Sequence, residues 1–368
     1  MQGLPVQLDK ECTAPALPLR RAGEWLLESG IQEPSGGVAR YRLNAENRNL
    51  PISTEITGYA VSAFTYLAQV TSDDAYSRAA RRAADFLIDQ AWNKQLETFP
   101  FECAPGAPAY FFDCGIIIRG LLAVHRLTGD ARYLDVAARA GRSMARDFLT
   151  PTAIHPIISV PDRQPWPYEK RWSREPGCFL LKSALAWLNL FRATGERLFE
   201  TWWEQALQQS LASWDSFLPG TGERLKIMDR LHAHCYFLEA LLAVPHRPEC
   251  AETLRLGIAR TSTYLRDIAP NFARSDVYAQ LLRVRLHADA LGCEPLDRSS
   301  AREEAAAIAS FQYDSGDPHL DGGYAFGRRG TDWLPFVNPV STSFCLQALE
   351  QWRQYEAGQF EANLDALI

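Results

Sequence analysis

The sequence DCGIIIRGLLAVHRLTGDARYLDVAARAGRSMARDFL, residues 113–149, contains two helical patterns of opposite character joined by one glycine. The first, from Asp113 to about Thr128, is apolar on nearly all sides, which is typical of a helix that is buried on every face. Gly129 supplies a left-handed position that ends this helix, and Asp130 can cap the next one. The second pattern is amphipathic, with apolar residues at spacings of three and four and arginines on the opposite stripe. An inner and an outer helix therefore form one repeating pair.

The pair recurs along the chain. The segments TSDDAY (71–76), TGDARY (128–133) and TGERLF (194–199) each follow an apolar helix and open an amphipathic one. Such repeats indicate stacked units that bury their cores against one another. We expect inner helices at 55–71, 113–128, 177–194, 230–244, 276–291 and 339–355, and outer helices at 17–30, 73–91, 130–149, 196–214, 250–268 and 296–311. This pattern predicts an all-α fold, an (α/α)6 barrel or toroid, in which residues 1–368 form a single domain.

The bulk composition is that of a folded globular protein, with 47% hydrophobic and 22% charged residues. A net charge of −6 argues against nucleic-acid binding, which needs a basic surface. The eight cysteines show no CxxC pair or metal-ligand spacing, so we expect reduced thiols and neither a metal nor a cofactor. No signal-peptide pattern opens the sequence and no uncharged run is a convincing membrane span. We expect a cytoplasmic protein without a membrane partner; the sequence does not predict its oligomeric state.

The long connections all run from an outer helix to the next inner helix, so they gather at the rim where the inner helices begin. They span 31–54, 92–112, 150–176, 215–229 and 312–338. Structureless loops longer than about 12–15 residues are usually functional or disordered, and these are rich in aromatic residues and arginine, which disfavours disorder. We place the functional site at this rim. Two of the loops resemble each other, at 31–42 and 311–329: each has a glutamine, then Gly-Gly, then an aromatic residue and an arginine. This indicates either a repeated turn or a functional motif.

Polar side chains lie at or near the starts of the inner helices, where the positive ends of helix dipoles favour anionic ligands. They include Glu55, Tyr59, Asp113, His232 and His234. Asp113 either caps its helix or takes part in chemistry. The His-x-His spacing directs the two rings to different helix faces, which argues against a metal site.

Glu239 is the only charge within an otherwise apolar helical pattern, and it lies about 10 Å deeper along the helix than His232. A buried carboxylate must be paired or neutralised. Two interpretations remain open. Glu239 forms a structural ion pair with Lys182 or Arg119, or it is a carboxyl group with a raised pKa at the base of a cleft.

Two of the rim loops carry aromatic and charged residues that suit sugar binding, since aromatic faces stack on sugar rings and arginines bind carboxylates. The loop at 161–177 contains Trp166, Tyr168 and Trp172. The loop at 321–336 contains Asp321, Tyr324, Arg328 and Trp333. For the first loop, a lid that fills the mouth with its own side chains is the alternative. Carboxylates and aromatic residues at one rim are the groups that glycosidic-bond chemistry uses.

The segment FDCGIIIRGLLAVHRLTGDARYLDVA (112–137) resembles the hairpin of N-acylglucosamine 2-epimerase relatives, in which an aromatic–Asp pair opens an inner helix. It is also similar to the Asp-x-Gly start of unsaturated glucuronyl hydrolases, whose catalytic acid is such an aspartate. The segments EITGYAVSAFTYL (55–67) and LHAHCYFLEALL (231–242) resemble toroid proteins found with bacterial polysaccharide biosynthesis. The resemblance implies a six-hairpin carbohydrate-active protein in which Asp113 is catalytic.

The chain departs from the epimerases at two positions. Cys114 stands where they have a histidine after the aspartate, and the last inner helix, NPVSTSFCLQAL (338–349), has no match for their C-terminal histidine. We therefore favour a glycoside hydrolase-like enzyme that acts on an acidic saccharide. Epimerisation or elimination on the same fold is the less favoured reaction. A non-catalytic glycan-binding or scaffold protein of polysaccharide assembly is the alternative from another class.

In the hydrolase interpretation, Asp113 is the general acid/base, and Glu239 or Asp321 is the second carboxylate. His232, Arg328 and the loop between Trp166 and Trp172 orient the substrate.

Overall fold

The computed structural model describes residues 16–218 and 224–368, and its helices form two concentric rings. The inner ring consists of α2 (Thr54–Thr71), α4 (Phe111–Thr128), α6 (Leu181–Thr194), α8 (Arg224–Leu241), α10 (Ser275–Ala290) and α12 (Pro339–Glu356). The outer ring consists of α1 (Leu17–Glu28), α3 (Asp74–Phe86), α5 (Ala131–Phe148), α7 (Arg197–Phe217), α9 (Pro248–Ile268) and α11 (Arg298–Ala309). Each inner helix packs against the next, α12 closes the ring against α2, and α1 covers α12 from outside. The predicted (α/α)6 barrel is confirmed.

The helix boundaries follow from local chemistry. Gly129 ends α4 in the left-handed conformation with φ 72°, and the Asp130 side chain caps α5 by accepting a hydrogen bond from the Arg132 backbone N–H at 2.9 Å. Asp73 caps α3 in the same way. The inner helices are buried on almost every side, whereas the outer helices bury one stripe. No helix within residues 16–218 and 224–368 is long and apolar enough to cross a lipid bilayer.

The two largest differences from the predicted helix boundaries are at the start of α8 and the end of α3. Helix α8 begins at Arg224 rather than Arg230, because the charged residues Lys226, Asp229 and Arg230 interrupt the apolar pattern although Ile227 and Met228 are buried. The end of the predicted outer helix at 73–91 is a short π-helical turn, Leu87–Ala91. Periodicity alone does not locate these helix ends, because charged neighbours hide the buried positions of α8 and the π-helical turn continues the apolar pattern of α3.

Short antiparallel strands tie the long loops together at the rim. Strand β3 (Ala109–Tyr110) pairs with β4 (Ile157–Ile158), with Tyr110 opposite Ile157. A second sheet has the order β2-β1-β8, and a third has the order β5-β6-β7. Their ranges are β1 (Arg42–Leu43), β2 (Arg48–Asn49), β5 (Phe272–Arg274), β6 (Gly327–Arg329), β7 (Asp332–Trp333) and β8 (Phe336–Val337). These two- and three-residue strands are too short to leave an alternating pattern in the sequence.

The repeated Gln…Gly-Gly segment is a structural turn that fastens a loop to an outer helix. The Gln32 and Gln312 side-chain amides each donate to the carbonyl of the first glycine of the pair, Gly36 or Gly322, and to a backbone carbonyl at α3 or α1. Both glycines have positive φ, and a Cβ would lie only 2.3 or 2.2 Å from a carbonyl oxygen of the outer helix. Only glycine fits this turn.

The segment 361–368 enters the barrel from the end opposite the long loops. Leu367 and Ile368 are 3% and 1% exposed. The Leu367 carbonyl accepts a hydrogen bond from Arg119 at 2.8 Å, and the Ile368 carbonyl accepts one from Lys182 at 3.1 Å. We call residues 361–368 the plug, because they fill the lower part of the ring.

Gly115→Ala is expected to destabilise the fold by about 1–3 kcal/mol or more, because α4 and α6 touch at this residue. A Cβ on Gly115 would lie 2.4 Å from the Ser183 carbonyl oxygen and 2.5 Å from its Cβ, so two inner helices would have to move apart. Urea unfolding of both proteins measures the difference. Gly316→Ala, where a Cβ meets nothing within 4 Å, is the control and should change stability by no more than about 0.5 kcal/mol. Equal stability of the Gly115 variant and wild type would contradict this packing.

Candidate functional site

A cavity of about 330 Å³ opens at the rim of long loops. Its walls come from the first turns of α2 and α4, from the segment before α6, from α8, and from the loop at 171–174. The described residues that line it are Glu55, Phe101, Tyr110, Phe112, Asp113, Pro156, Arg171, Trp172, Ser173, Arg174, Phe179, Leu180, His232 and Tyr236. The cavity is therefore off-centre, on the side of the barrel where α2, α4, α6 and α8 begin.

Two carboxyl groups meet in this cavity because α2 and α4 approach each other closely. A Cβ on Gly58 would lie 2.9 Å from Ile117 Cα, and a Cβ on Gly120 would lie 2.6 Å from the Gly58 carbonyl oxygen. Glycine at these positions lets the two backbones touch. Glu55 in the first turn of α2 and Asp113 in the first turn of α4 are thereby brought to the same wall.

The surroundings of Asp113 favour its protonated form. Its side chain does not cap α4, the residue is 4% exposed, and its Oδ2 atom has no hydrogen-bond partner among the described residues. Burial raises the pKa of Asp113 well above its usual range, and negative charge on Glu55 raises it further. Burial also raises the pKa of Glu55 to about 7, and the nearby Arg40 opposes both increases. The pair thus provides a proton donor and a carboxyl group that titrates near neutral pH.

His232 is a neutral imidazole with a fixed tautomer. Its Nδ1 atom lies 2.7 Å from Gln280 Oε1 and 3.3 Å from Asp276 Oδ2. Asp276 is ionised, since two hydrogen bonds from Arg274 and its positive charge lower the pKa of this carboxyl. Nδ1 therefore donates, and Nε2 carries the lone pair. Burial lowers the pKa of His232 to about 4, so at neutral pH the ring is a hydrogen-bond acceptor and a base.

Aromatic rings form most of the remaining wall. Tyr236 lies one helical turn below His232, with ring centroids 4.5 Å apart, and contacts Phe112 with centroids 4.8 Å apart. Trp172 packs edge-on against Phe179 at 5.2 Å. Flat apolar faces beside proton donors and acceptors are suited to polyhydroxylated rings such as sugars.

Positive charge lies at the mouth of the cavity. Arg171 is exposed there, and Arg174 is paired with Glu169 and lies over the Trp166 ring at 5.6 Å from its centroid. Arg40, behind the cavity lining, lies over Phe101 at 4.5 Å and is ion-paired with Glu102. Because burial raises the pKa of both Asp113 and Glu55 and so reduces their negative charge, the exposed Arg171 guanidinium at the mouth favours an anionic ligand.

Several predicted residues lie in or beside this cavity. Glu55, Asp113, Trp172 and His232 line it. Tyr59 is buried below it, with its ring edge-on to Phe344. Trp166 and Tyr168 belong to the loop that carries Trp172. Trp166 contacts Arg174, and the Tyr168 hydroxyl lies 2.7 Å from His155 Nδ1 at the exposed surface.

The prediction of a raised pKa for Glu239 is wrong, and its structural ion-pair interpretation is confirmed. Glu239 is fully buried and forms ion pairs with Lys182 at 2.8 Å and Arg283 at 2.5 Å. Burial alone would raise its pKa, but these cations and Arg119 together lower it below the usual value. Glu239 does not line the cavity, so it is not available to a ligand there.

The structure does not bring the loop at 321–336 to the cavity. Asp321 accepts hydrogen bonds from Arg21 at 2.6 Å and from a loop N–H, which lower its pKa, so it is an ionised carboxylate fastened to α1. Tyr324 is buried against α12, while Arg328 and Trp333 belong to the β6–β7 ribbon, where Trp333 is 47% exposed. This ribbon pairs with β5 beside the start of α10, on the side of the barrel away from Asp113.

His234 also lies outside the cavity. Its Nδ1 atom is 3.0 Å from the Thr261 hydroxyl on α9, and burial lowers its pKa to about 3. The two histidines of the His-x-His segment thus face different directions, as the helical spacing predicts. No group of three His, Cys, Asp or Glu side chains within residues 16–218 and 224–368 is arranged to hold a metal ion.

The sequence predicted Trp172 and the arginine-rich loop that carries it, but not Tyr236, Phe112 or Phe101 of the aromatic wall, nor Arg40. Tyr236 could have been found, because it follows His232 by four residues and shares its helix face. Phe112 is next to Asp113 and offered a similar signal. Arg40 and Phe101 come from different loops, and nothing in their local sequence connects them to the first turns of α2 and α4.

Wild type is expected to lose stability as the pH rises from about 4.5 to 7, and Glu55→Gln is expected not to show this loss. The pKa of Glu55 rises from 4.5 to about 7 on folding, so the stabilisation present below pH 4.5 is lost as the pH rises through 7. The difference should be on the order of 3 kcal/mol, at about 1.4 kcal/mol for each pKa unit. Melting temperatures of both proteins from pH 4 to 8 measure it. Glu303→Gln on exposed α11 is the control, and parallel profiles for wild type and Glu55→Gln would contradict the shift.

No family model and no curated protein matches this chain. Solved structures match it over nearly its whole length at low sequence identity. A cellobiose 2-epimerase from Spirochaeta thermophila has 15% identity and a TM-score of 0.69, covering 90% of this chain and 93% of that one. An unsaturated glucuronyl hydrolase from Streptococcus agalactiae has 10% identity and a TM-score of 0.65, covering 99% and 100%.

A glycoside hydrolase family 76 mannosidase from Bacteroides thetaiotaomicron has 10% identity and a TM-score of 0.61, covering 93% and 100% of the two chains. Identities this low show the architecture and not the reaction. The chain has the (α/α)6 toroid fold that these six-hairpin sugar-processing proteins share.

Proposed function

We propose that this protein is a carbohydrate-active enzyme that hydrolyses a glycosidic bond of an acidic saccharide in the Asp113 cavity. The observation that carries the proposal is the setting of Asp113, a buried carboxyl group in the cavity whose Oδ2 atom lacks any hydrogen-bond partner among the described residues. Burial raises its pKa and so favours the protonated form. A group in this state can donate a proton to a leaving-group oxygen.

The second carboxyl group of the proposed mechanism is Glu55, in place of Glu239 or Asp321. As the glycosidic C–O bond breaks, the Asp113 proton passes to the leaving oxygen. A water oxygen bonds to the anomeric carbon, and Glu55 in its ionised form accepts a proton from that water. The Asp113 carboxylate then takes a proton from Glu55 or from solvent, which returns the site to its initial state. The raised pKa of both groups supports this exchange.

The substrate class follows from the mouth and walls of the cavity. Arg171 and Arg174 offer guanidinium groups that bind a carboxylate, and Trp172 and Tyr236 offer faces for sugar rings. A uronic or otherwise acidic sugar would therefore place its anionic group toward the loop at 171–174.

A second candidate reaction is epimerisation beside a sugar carbonyl, and His232 favours it. A neutral imidazole whose Nδ1–H is anchored by Asp276 and Gln280 can remove a proton from carbon through Nε2. Two of the structurally similar proteins are cellobiose 2-epimerases. Asp113 would then return a proton. Helix α12 has no histidine at the position expected from the epimerases, so we favour hydrolysis over epimerisation.

The test is a thermal-shift screen against neutral, amino and uronic oligosaccharides, followed by product analysis in D2O. We expect a rise in melting temperature with uronic sugars, since a ligand that binds only the native state stabilises it by mass action. Hydrolysis yields a new reducing end, whereas epimerisation places deuterium on the carbon beside the carbonyl.

Matched arginine variants test the location of binding. Arg171→Ala should abolish the shift, and Arg328→Ala, which removes an exposed rim arginine outside the cavity, should retain it. A shift without product would favour the non-catalytic glycan-binding alternative. The absence of a shift with any saccharide, or equal effects of the two variants, would refute the proposal.

A further inference from the structure

A second cavity lies at the opposite end of the barrel, where α2 and α4 end. It has a volume of about 220 Å³. Residues from α2, α4 and the plug line it: Ser62, Thr65, Tyr66, Gln69, Ala123, Arg126, Asn363, Asp365 and Ala366. None of these residues belongs to the lining of the Asp113 cavity.

The inner wall of this cavity carries two hydroxyl groups without partners. Thr65 is 4% exposed and Tyr66 is 6% exposed, and neither Oγ1 nor the phenolic oxygen has a hydrogen-bond partner among the described residues. Buried hydroxyls that lack protein partners are satisfied by water or by a ligand. Ser62 and Gln69 lie on the same helix face, at spacings of three and four residues from this pair, so α2 presents a row of polar groups.

The outer wall is fixed in place before any ligand arrives. Arg126 donates to the Asp365 carbonyl at 3.0 Å, and the Asp365 carboxylate accepts a hydrogen bond from Asn189 at 3.1 Å. These bonds attach the plug to α4 and α6. The mouth is formed by exposed polar side chains, namely Gln69, Arg126, Asn363 and Asp365.

We propose that this second cavity binds a small polyhydroxylated molecule, a monosaccharide or a polyol of similar size. Hydroxyls, amides, a guanidinium and a carboxylate together supply the alternating donors and acceptors that a polyol needs, and the Tyr66 ring adds an apolar wall. The volume is two thirds of that of the Asp113 cavity and lies below the range of about 300–1,000 Å³ for larger ligands, so an oligosaccharide does not fit. This proposal does not depend on the reaction at Asp113.

The test is isothermal titration of wild type and of Thr65→Val with glucose, mannose, glucuronate, myo-inositol and glycerol. Valine keeps the shape of threonine, and replacing an unpartnered buried hydroxyl by a methyl group leaves the fold intact. We expect at least one of these compounds to bind wild type. Thr65→Val should weaken that binding about fivefold or more, because the ligand loses one hydrogen bond. Thr263→Val, at an exposed threonine on α9, is the matched control and should bind like wild type.

Arg171→Ala distinguishes this site from the Asp113 cavity. If Thr65→Val weakens binding and Arg171→Ala leaves it unchanged, the ligand binds in the second cavity. This result supports the proposal whether or not the protein hydrolyses any saccharide. Binding that only Arg171→Ala weakens belongs to the first cavity and overturns the proposal. Binding of none of the five compounds also overturns it, and the two hydroxyls are then satisfied by water alone.

Discussion

Asp113→Asn is expected to lower turnover of the accepted saccharide by about 10²–10⁴-fold, the usual contribution of a general acid. Asparagine has nearly the shape of the protonated aspartic acid but no proton to give to a leaving group. The melting temperature should stay close to that of wild type, because the buried group is neutral in both proteins. Steady-state kinetics on the substrate found by the screen measure the loss, and a lower kcat with little change in KM is the expected form.

Asp321→Asn is the matched control for this experiment. Asp321 is the rim aspartate that the sequence also nominates, but the structure pairs it with Arg21 outside the cavity. Its removal should leave turnover unchanged and affect stability only slightly, since partly exposed ion pairs contribute about 0–1 kcal/mol. Unaltered turnover in Asp113→Asn, or an equal loss in both variants, would remove Asp113 from its assigned role.

Glu239→Gln is expected to destabilise the protein by about 3–5 kcal/mol, the cost of leaving buried charges without their partner. Glu239 is the carboxylate that balances Lys182, Arg283 and Arg119 in the interior. Burial already lowers the pKa of Lys182 to about 7, with Glu239 opposing the decrease. The deficit should therefore be largest below pH 7, where Lys182 must carry its charge, and smaller above it, where Lys182 is neutral.

Chemical unfolding at pH 6 and pH 8 checks both the size and the pH dependence. Glu252→Gln removes an exposed ion pair with Arg255 and should cost no more than about 1 kcal/mol at either pH. A Glu239→Gln variant as stable as this control would mean that the interior cations do not depend on Glu239.

The fold could be predicted because each helix pair has its own local pattern. Residues 113–149 contain the buried helix, the glycine that ends it, the aspartate that caps the next helix and the amphipathic stripe, and all of these are present in α4 and α5. The position of α12 at the end of the inner ring, beside the unpaired outer helix α1, follows once the pairs are counted. Loop conformation could not be predicted in the same way, since strands such as β3 and β4 depend on contacts between residues about fifty positions apart.

The candidate site was only partly predictable for the same reason. Glu55, Asp113 and His232 are recognisable as polar residues in apolar helices, and all three line the cavity. The pairing of Glu55 with Asp113 depends on the close approach of α2 and α4 at Gly58, and no local sequence pattern predicts that approach. Asp321 looked equivalent in sequence, but the glutamine-anchored turn holds its loop against α1. Glu239 was ambiguous until its distances to Lys182 and Arg283 were known.

The plug determines how anything can move through the barrel. With Leu367 and Ile368 buried in the lumen, the plug closes the ring at the end opposite the long loops. A polymer therefore cannot thread through the ring from one end to the other. Under the proposed hydrolysis, product would leave by the same loop rim at which substrate enters. We then expect product to compete with substrate, and inhibition by product to be competitive.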